Sequence, residues 1–276
     1  MKNNKYCIGL IGYGSVGKGI IDYYLRSSEP KLSSLEIIAI GVHDINKERT
    51  MPLSNIHRPF PSLIDDPMTK IINNPLIDIV VDAVGGNVKA NTASRKYLYQ
   101  AIANGKHVVT CNKAVLCDEL VPLTELANKK KVNLRYEAAV CGGIPIIQTL
   151  QKYYANDEIE RVSGIINGTS NYILSEMHQG KTLIEALKEA QSNGYAEADY
   201  TNDVEGFDAL HKLVLLASIA FHTKINPNDV LREGIMQVSH HDIYYLKQFL
   251  GKILMEDHAI KLIGSAERKE NNVLEL

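Results

Sequence analysis

The sequence predicts an α/β fold, a doubly wound parallel sheet followed by a second, α+β domain. Three observations predict it. Short apolar runs alternate with helical patterns through the first half, as parallel strands with crossover helices require. A glycine-rich turn, Gly12-Tyr13-Gly14-Ser15-Val16-Gly17, separates the first apolar run from the first helical pattern. Helical patterns then dominate the second half, with strand-like runs only near Arg161 and at the far end. A chain of 276 residues that is 45% hydrophobic can build one large or two modest cores, and two domains are expected, 1–136 and 137–276.

Composition excludes several function classes. The net charge is −2 and neither lysines nor arginines gather into a stripe, so neither nucleic acid nor an anionic membrane is an expected partner. The start of the chain, MKNNKYCIGLIGYG, has charge and an apolar run but no small-residue cleavage site. It reads as a first strand and not as a signal peptide. The longest apolar run, Leu213 to Phe221, is about half of what a bilayer span requires. Four cysteines, Cys7, Cys111, Cys117 and Cys141, show neither CxxC spacing nor the density of a disulfide scaffold, which points to a reducing cytoplasm.

Tyr6 to Ile11 is the first predicted strand, and Ile20, Ile21, Tyr24 and Leu25 mark one face of the helix after it. Between them, Gly12 permits a tight turn, Gly14 lets backbone amides of the Ser15–Val16 turn approach a pyrophosphate, and Gly17 brings helix close to strand. The helix N-terminus favours the anion, so a Rossmann-type dinucleotide site is expected here. A second strand, Leu35 to Val42, ends at His43-Asp44, where the ribose is read in such folds. Asp44 suits the 2′-hydroxyl of NAD, whereas His43, Lys47 and Arg49 suit the 2′-phosphate of NADP, and the choice stays open.

Five prolines between Asn46 and Pro75 (Pro52, Pro59, Pro61, Pro67, Pro75) break regular structure, leaving one short helix near Asp66 to Ile72. Ile77 to Val84 reads as a continuous apolar strand buried on both faces, delivering Val84, Gly85 and Gly86 to the carboxyl end of the sheet. A helix from Ala90 to Asn104 should stop at Gly105, and a strand from Lys106 to Thr110 should deliver Cys111-Asn112-Lys113-Ala114. Cys111 reads as a buried inert cysteine, with a reactive thiol in a cleft as the alternative. Val132 to Val140 is strand-like and runs into Cys141-Gly142-Gly143-Ile144-Pro145, where the chain is expected to cross into its second domain.

In the second half, a helix at Ile146 to Tyr154 and a strand at Arg161 to Ile166 lead to Asn167-Gly168-Thr169-Ser170 and a helix over Asn171 to Gln179. The glycine and two hydroxyls are N-cap chemistry, and they would also receive a carboxylate through free amides and the helix dipole. Another helix, Leu183 to Ser192, presents Leu183, Leu187 and Ala190 on one face. Beyond Phe221, helices are expected over Asn226 to Gln237 and His241 to Lys252, and a hairpin from Ala259 to Arg268 with Asn272 to Leu276. His240-His241 is assigned no metal, because adjacent residues face apart on a helix or strand.

The most informative stretch is Gly194 to Lys212, GYAEADYTNDVEGFDALHK. Five acids (Glu197, Asp199, Asp203, Glu205, Asp208) precede a lysine and the apolar run LVLLASIA, so a loop is expected to feed a helix beginning near Gly206. Asp208 and Lys212 are four apart and share a helix face. An ordinary surface ion pair is the alternative, but a helix apolar nearly all round is a buried one. Lys212 is therefore carried inside with its acids, where a charge needs a partner or a task.

This stretch resembles the homoserine dehydrogenase signature, matching at Gly194, Tyr195, Glu197, Asp199, Asp203, Gly206, Asp208 and Lys212, and departing at Tyr200, where the family usually has proline. The Asn112-Lys113-Ala114 run and the Glu137-Ala138-x-Val140-x-x-Gly143-x-Pro145 run resemble the same family. The resemblance implies NAD(P)-dependent interconversion of L-aspartate 4-semialdehyde and L-homoserine, a step of amino-acid biosynthesis toward threonine and methionine. It implies Lys113 between nicotinamide and substrate, and a monovalent cation (Na+ or K+) on Glu137 with the backbone of Val140, Gly142 and Ile144. NADP-preferring members usually carry arginine at the place of His43.

On this reading Lys212 is the proton donor, because a lysine buried among acids can be tuned toward working pH, and Lys113 assists. Glu197 and Asp208, with Asp203 as a weaker candidate, take the substrate ammonium, and Gly168, Thr169 and Tyr195 frame its carboxylate. The two lysines are expected to converge on one cleft, in a homodimer or homotetramer. Family members normally continue with a segment that returns to the cofactor domain, and this sequence stops before it. Two alternatives follow, a nucleotide-binding remnant and a dehydrogenase of another amino-acid-derived substrate.

Overall fold

A computed structural model describes residues 5–49, 56–85, 88–197, 199–254, 260–269 and 274–276. It divides into two compact units, Met1–Gly143 and Ile144–Leu276. In the first, the strands are β1 (Tyr6–Ile11), β2 (Leu35–Gly41), β3 (Ser62–Ile64), β4 (Ile79–Asp82), β5 (His107–Thr110) and β6 (Leu134–Arg135), and the long helices are α1 (Ser15–Arg26), α2 (Val88–Ala103) and α3 (Lys113–Lys130). The sheet order is β3-β2-β1-β4-β5-β6, with every pairing parallel. Successive strands run outward from β1 on one side and from β4 on the other, so the order reverses between them. That reversal opens a crevice outside the carboxyl ends of β1 and β4. The apolar faces of β1, α1 and β2 close a core of Ile8, Leu10, Ile21, Tyr24, Leu25, Ile37, Ile40 and Val42.

The first strand matches its expected bounds, and the expected α1 face is the one whose Ile21, Tyr24 and Leu25 are buried. Other expectations need correction. Ile77 to Val84 does not form a continuous strand buried on both faces. Only Ile79–Asp82 pairs, its exposure alternates, and the carboxylate of Asp82 takes one of the two buried places. Val132 to Val140 is not one strand either. β6 is an edge strand that pairs over two residues with β5, and the chain leaves the extended region at Tyr136 (φ −149°, ψ 27°) for a tight turn over Glu137–Ala139. With no strand on its outer side among the described residues, the Glu-Ala-Ala run follows its helical preference. β3 escaped the proline-based reading because proline bars central strands but not the start of an edge strand. Pro52 and Gly86 lie outside the described residues.

The second unit begins with α4 (Ile146–Gln148), continued by a wide helical turn over Thr149–Tyr153, then β7 (Arg161–Gly164), α5 (Gly168–His178), α6 (Leu183–Ser192), α7 (Thr201–Val204), α8 (Phe207–Ala220), α9 (His240–Leu254), β8 (Gly264–Arg268) and β9 (Leu274–Glu275). β7, β8 and β9 form an antiparallel sheet in that order, which includes the expected hairpin, though Ala259 and Asn272 lie outside the described residues. α6 occupies its expected span, fixed at its head by the reciprocal Thr182–Glu185 capping box, and buries Ala186, Leu187 and Ala190. Against it pack Ile173, Leu174, Met177, Val204, Ile235 and Ile243.

The helix expected over Asn226 to Gln237 is absent; Pro227–Asp229 makes one turn and Ile235 to Val238, closed by Val238 N donating to Ile235 O at 3.0 Å, makes another. Its backbone donors are spent elsewhere. The Asn226 side chain accepts from Asn228 N at 3.1 Å, Ile235 N donates to Val204 O at 2.7 Å, and Leu231 N donates to Leu276 O at 3.3 Å. A local Asx turn and two long-range partners outcompete the i to i−4 ladder.

Candidate active site

The crevice between β1 and β4 is built by glycines. Gly12 sits at φ +101°, and a Cβ there would lie 2.6 Å from Ala83 O. A Cβ on buried Gly17 would run into Gly12 O, whereas one on Gly14 would meet nothing within 4 Å. Gly12 and Gly17 thus close the strand–turn–helix corner, and Gly14 leaves the head of α1 open. Gly14 caps the 12-residue α1 with no side-chain bond and no acid in the first turn, and Ser15 and Val16 are exposed. An open helix N-terminus of this kind accepts a pyrophosphate.

At the end of β2, His43 and Asp44 are exposed. The Asp44 carboxylate accepts from Asn46 N at 2.9 Å, and the Arg49 guanidinium donates to the carbonyls of Asp44 and, at 2.7 Å, Lys47. Arg49 therefore folds the loop that presents His43.

Asp82, 1% exposed, ends β4. It receives Ser94 Oγ at 2.7 Å, Thr110 Oγ1 at 2.8 Å and Val84 N at 3.2 Å. Burial pushes its carboxyl above the ordinary range, opposed in part by those three donors. Thr110 Oγ1 also accepts from Asn112 N at 3.0 Å, and Asn112 caps α3 by accepting from Val115 N at 3.2 Å. Lys113, half-buried, is the first residue of α3, so the strand, the cap and Asp82 together set its backbone. Burial, and then Asp82, raise the Cys111 thiol, and burial carries Cys117 up to about 12, which makes both poor nucleophiles.

Asp82 makes a testable contribution to pH dependence. A carboxyl whose folded pKa is raised stabilises fully below its unfolded value of about 4, and that contribution is lost as pH rises through the folded value. Asp82→Asn removes the titration. Thermal midpoints between pH 4 and 8 should fall less steeply with rising pH in the variant than in the parent chain. Parallel curves would show that Asp82 binds its proton alike in both states.

The acid-rich stretch of the second unit folds as a compact hydrogen-bonded cluster. α7 interrupts the expected loop, Gly206 caps α8, and α8 buries Leu213, Val214, Leu215, Leu216, Ala217, Ile219 and Ala220. Lys212 Nζ lies 2.6 Å from Asp208 Oδ2, and the two side chains are 18% and 10% exposed, so the expected pair is largely withdrawn from solvent, with Asp208 the more deeply buried partner. Lys212 Nζ also donates to Ile166 O at 2.9 Å.

Asn167, 3% exposed, donates from Nδ2 to Asp203 Oδ1 at 2.6 Å and to Asp208 Oδ2 at 2.7 Å. Its own Oδ1 caps α5 by accepting from Ser170 N at 2.7 Å. The cap is therefore Asn167 and not the hydroxyls expected to supply it. Those hydroxyls are turned to tertiary partners, Thr169 Oγ1 to Tyr195 O at 2.8 Å and Ser170 Oγ to Asp203 O at 2.9 Å. Tyr195, 59% exposed, packs on Tyr172 with ring centroids 4.9 Å apart. Gly168 and Glu197 are exposed, with Gln191 Nε2 holding the Glu197 carbonyl at 3.2 Å.

The structure thus brings together Lys212, Asp208 and Asp203, and keeps Thr169 against Tyr195. Sequence reasoning missed Asn167 and Asp82. The signal for Asn167 was an Asn one residue before Gly-Thr-Ser at a predicted helix start. For Asp82 it was an acid at the carboxyl end of an otherwise apolar run, Ile79 to Asp82.

Glu137 heads its half-buried turn, and Cys141 and Gly142 follow in left-handed conformations (φ 57° and 55°). Val140 is buried and Ile144 is 63% exposed, its carbonyl accepting from Ile146 N at 2.8 Å. One carboxylate with backbone carbonyls is an all-oxygen donor set of the kind hard cations take. His240 and His241 are the first two residues of α9 and are exposed. No helix among the described residues is long and apolar enough to cross a membrane.

Residues 145–275 match the family described as homoserine dehydrogenase, and residues 12–137 match its NAD binding domain. Homoserine dehydrogenase from Synechocystis sp. is 41% identical over 241 residues, covering 86% of this chain and 53% of that protein. The one from Neisseria gonorrhoeae is 39% identical over 273 residues, covering 98% of this chain and 59% of that protein. Among solved structures, a homoserine dehydrogenase from Thiobacillus denitrificans superposes with TM-score 0.83 at 40% identity, over 97% of this chain and 59% of that one. One from S. aureus gives TM-score 0.75 at 38% identity, over 98% and 63%. The chain spans little more than half the length of the curated relatives it matches.

Proposed function

This chain belongs to the homoserine dehydrogenase family, and on that premise we propose that it interconverts L-aspartate 4-semialdehyde and L-homoserine with NAD or NADP. The observation that carries the reading is the largely buried Lys212–Asp208 pair, at 2.6 Å, lying in the stretch that matches the family signature. Bound nicotinamide supplies or accepts the hydride; the chain's own residues must bind, orient and supply the proton.

Lys212 is assigned the proton donor to the aldehyde oxygen during reduction, and the acceptor in the reverse direction. Asp208 holds its ammonium in place. Asp203 and Glu197, with Asp208, offer negative charge to the substrate ammonium, and Gly168, Thr169 and Tyr195 frame its carboxylate. Lys113 is assigned a supporting part at the same oxygen. Gly12, Gly14, Ser15, Val16 and Gly17 would hold the pyrophosphate, His43 the ribose end, and Val84 and Gly85 the nicotinamide side of the crevice. Glu137 with the carbonyls of Val140, Gly142 and Ile144 would hold Na+ or K+. A cytoplasmic homodimer or homotetramer completes the reading, with domains of 1–136 and 137–276.

The deciding experiment is turnover of homoserine by the purified chain with each nucleotide. Oxidation of homoserine supports the reading. Retained nucleotide binding without turnover would make the chain a nucleotide-binding remnant. Preference for compounds lacking a γ-hydroxyl would make it a different dehydrogenase.

A further inference from the structure

We propose that Asn167 is the positioning residue of the second unit's site, its one side-chain amide setting the spacing of Asp203 and Asp208 and, through Asp208, the place of Lys212. The proposal rests on the reading of Lys212 as proton donor and names the device that holds it.

An amide nitrogen carries two hydrogens, and here both go to carboxylates, Asp203 at 2.6 Å and Asp208 at 2.7 Å. The Asp208 oxygen that takes one of them is the same Oδ2 that Lys212 Nζ approaches at 2.6 Å. Two carboxylates drawn this close repel each other, and burial strengthens the repulsion. A neutral double donor between them satisfies both without adding charge, and lets the Asp208 carboxylate hold the Lys212 ammonium as well.

Asn167 meets the charged groups Asp203 from α7 and Asp208 from α8, with Lys212 on the far side of Asp208, while its own helix start contributes the uncharged Gly168, Thr169 and Ser170. Nearby Glu205 and Arg232 face each other at 4.0 Å, and His211 precedes Lys212 on α8. Among neutral side chains only asparagine and glutamine put two donors on one nitrogen, and of these asparagine is the strong N-cap. Asn167 therefore does two separable jobs. Capping uses its oxygen; bridging uses its nitrogen.

Asn167→Asp separates them, because aspartate caps a helix as well as asparagine does but brings a third carboxylate in place of the double donor. The full chain and the variant would be melted between pH 5 and 8.5. With bridging, the variant should melt roughly 5 °C or more lower at pH 8, and the gap should close toward pH 5. The reason for that sign is that the crowded carboxyl has a raised folded pKa and loses stability as pH rises through it. A variant that melts with the parent chain at every pH would reduce Asn167 to a cap and overturn the proposal.

Homoserine oxidation gives the second readout. kcat should fall at least tenfold in Asn167→Asp while KM for the nucleotide holds; a pH-dependent melting gap with unchanged kcat would also overturn the positioning role. If the parent chain oxidises no homoserine, the functional reading fails, and the melting curves still decide whether Asn167 bridges the two acids.

Discussion

Replacing Lys212 by alanine should lower kcat by on the order of 10²-fold or more with little change in KM, the pattern expected when a general acid is lost. The ammonium is held from two sides, by Asp208 Oδ2 at 2.6 Å and Ile166 O at 2.9 Å, on a helix whose apolar face is buried. An ammonium held so firmly would spend little entropy in acting as the proposed donor. The truncation also takes the Lys212 ammonium from a buried Asp208 that shares Asn167 with Asp203, so some loss of stability should accompany the loss of rate. Steady-state kinetics on folded variant separates the two. A variant that loses only affinity would move Lys212 from chemistry to binding. Lys113→Ala measured alongside sharpens the result: a double variant no slower than the worse single one would mean that the two lysines act as one catalytic unit, and multiplying losses would mean separate contributions.

Gly12→Ala should remove nucleotide binding and destabilise the first unit by on the order of 3 kcal/mol. Two costs combine. At φ +101° an L-residue is strained, and the added methyl meets Ala83 O, a backbone atom that cannot swing away. Relief requires β1 and the segment after β4 to separate, and those are the walls of the crevice. Thermal unfolding should show a drop of roughly 10 °C, and titration with NADP and NAD should show affinity at least tenfold weaker. Gly14→Ala is the contrasting control, since a methyl there meets nothing within 4 Å. It should leave stability nearly unchanged, so that any loss of affinity reports contact with nucleotide. Equal melting of the Gly12 variant and the parent chain would mean that the corner is not where the strain is held.

Much of the fold was legible because its signals are local. β1, the glycine turn and α1 occupy consecutive residues, and each glycine's place in that corner follows from chain geometry alone. Asp208 and Lys212 could be paired from their spacing, and their burial inferred from the apolar run that follows. The α6 span was legible from the spacing of Leu183, Leu187 and Ala190, and the Thr182–Glu185 capping box that heads it is a local signal the sequence reading did not use.

What failed in the sequence reading failed where a distant partner decides. Val132 to Val140 has strand composition, but an edge position let Glu137 turn away. Asn226 to Gln237 has helical composition, but its amides go to Val204 and Leu276. The Asp82 carboxylate draws on Ser94 and Thr110 from separate elements, 12 and 28 residues away.

The sequence by itself determined the strand–turn–helix corner, the parallel α/β class and the helix that carries Lys212, because these depend on periodicity, glycine stereochemistry and spacing within one element. Only the tertiary structure decided that Asn167 would meet Asp203 and Asp208, 36 and 41 residues further along the chain. Hydrogen bonds act over about 3 Å, and no local pattern encodes which loops the packing of a core will bring within that reach.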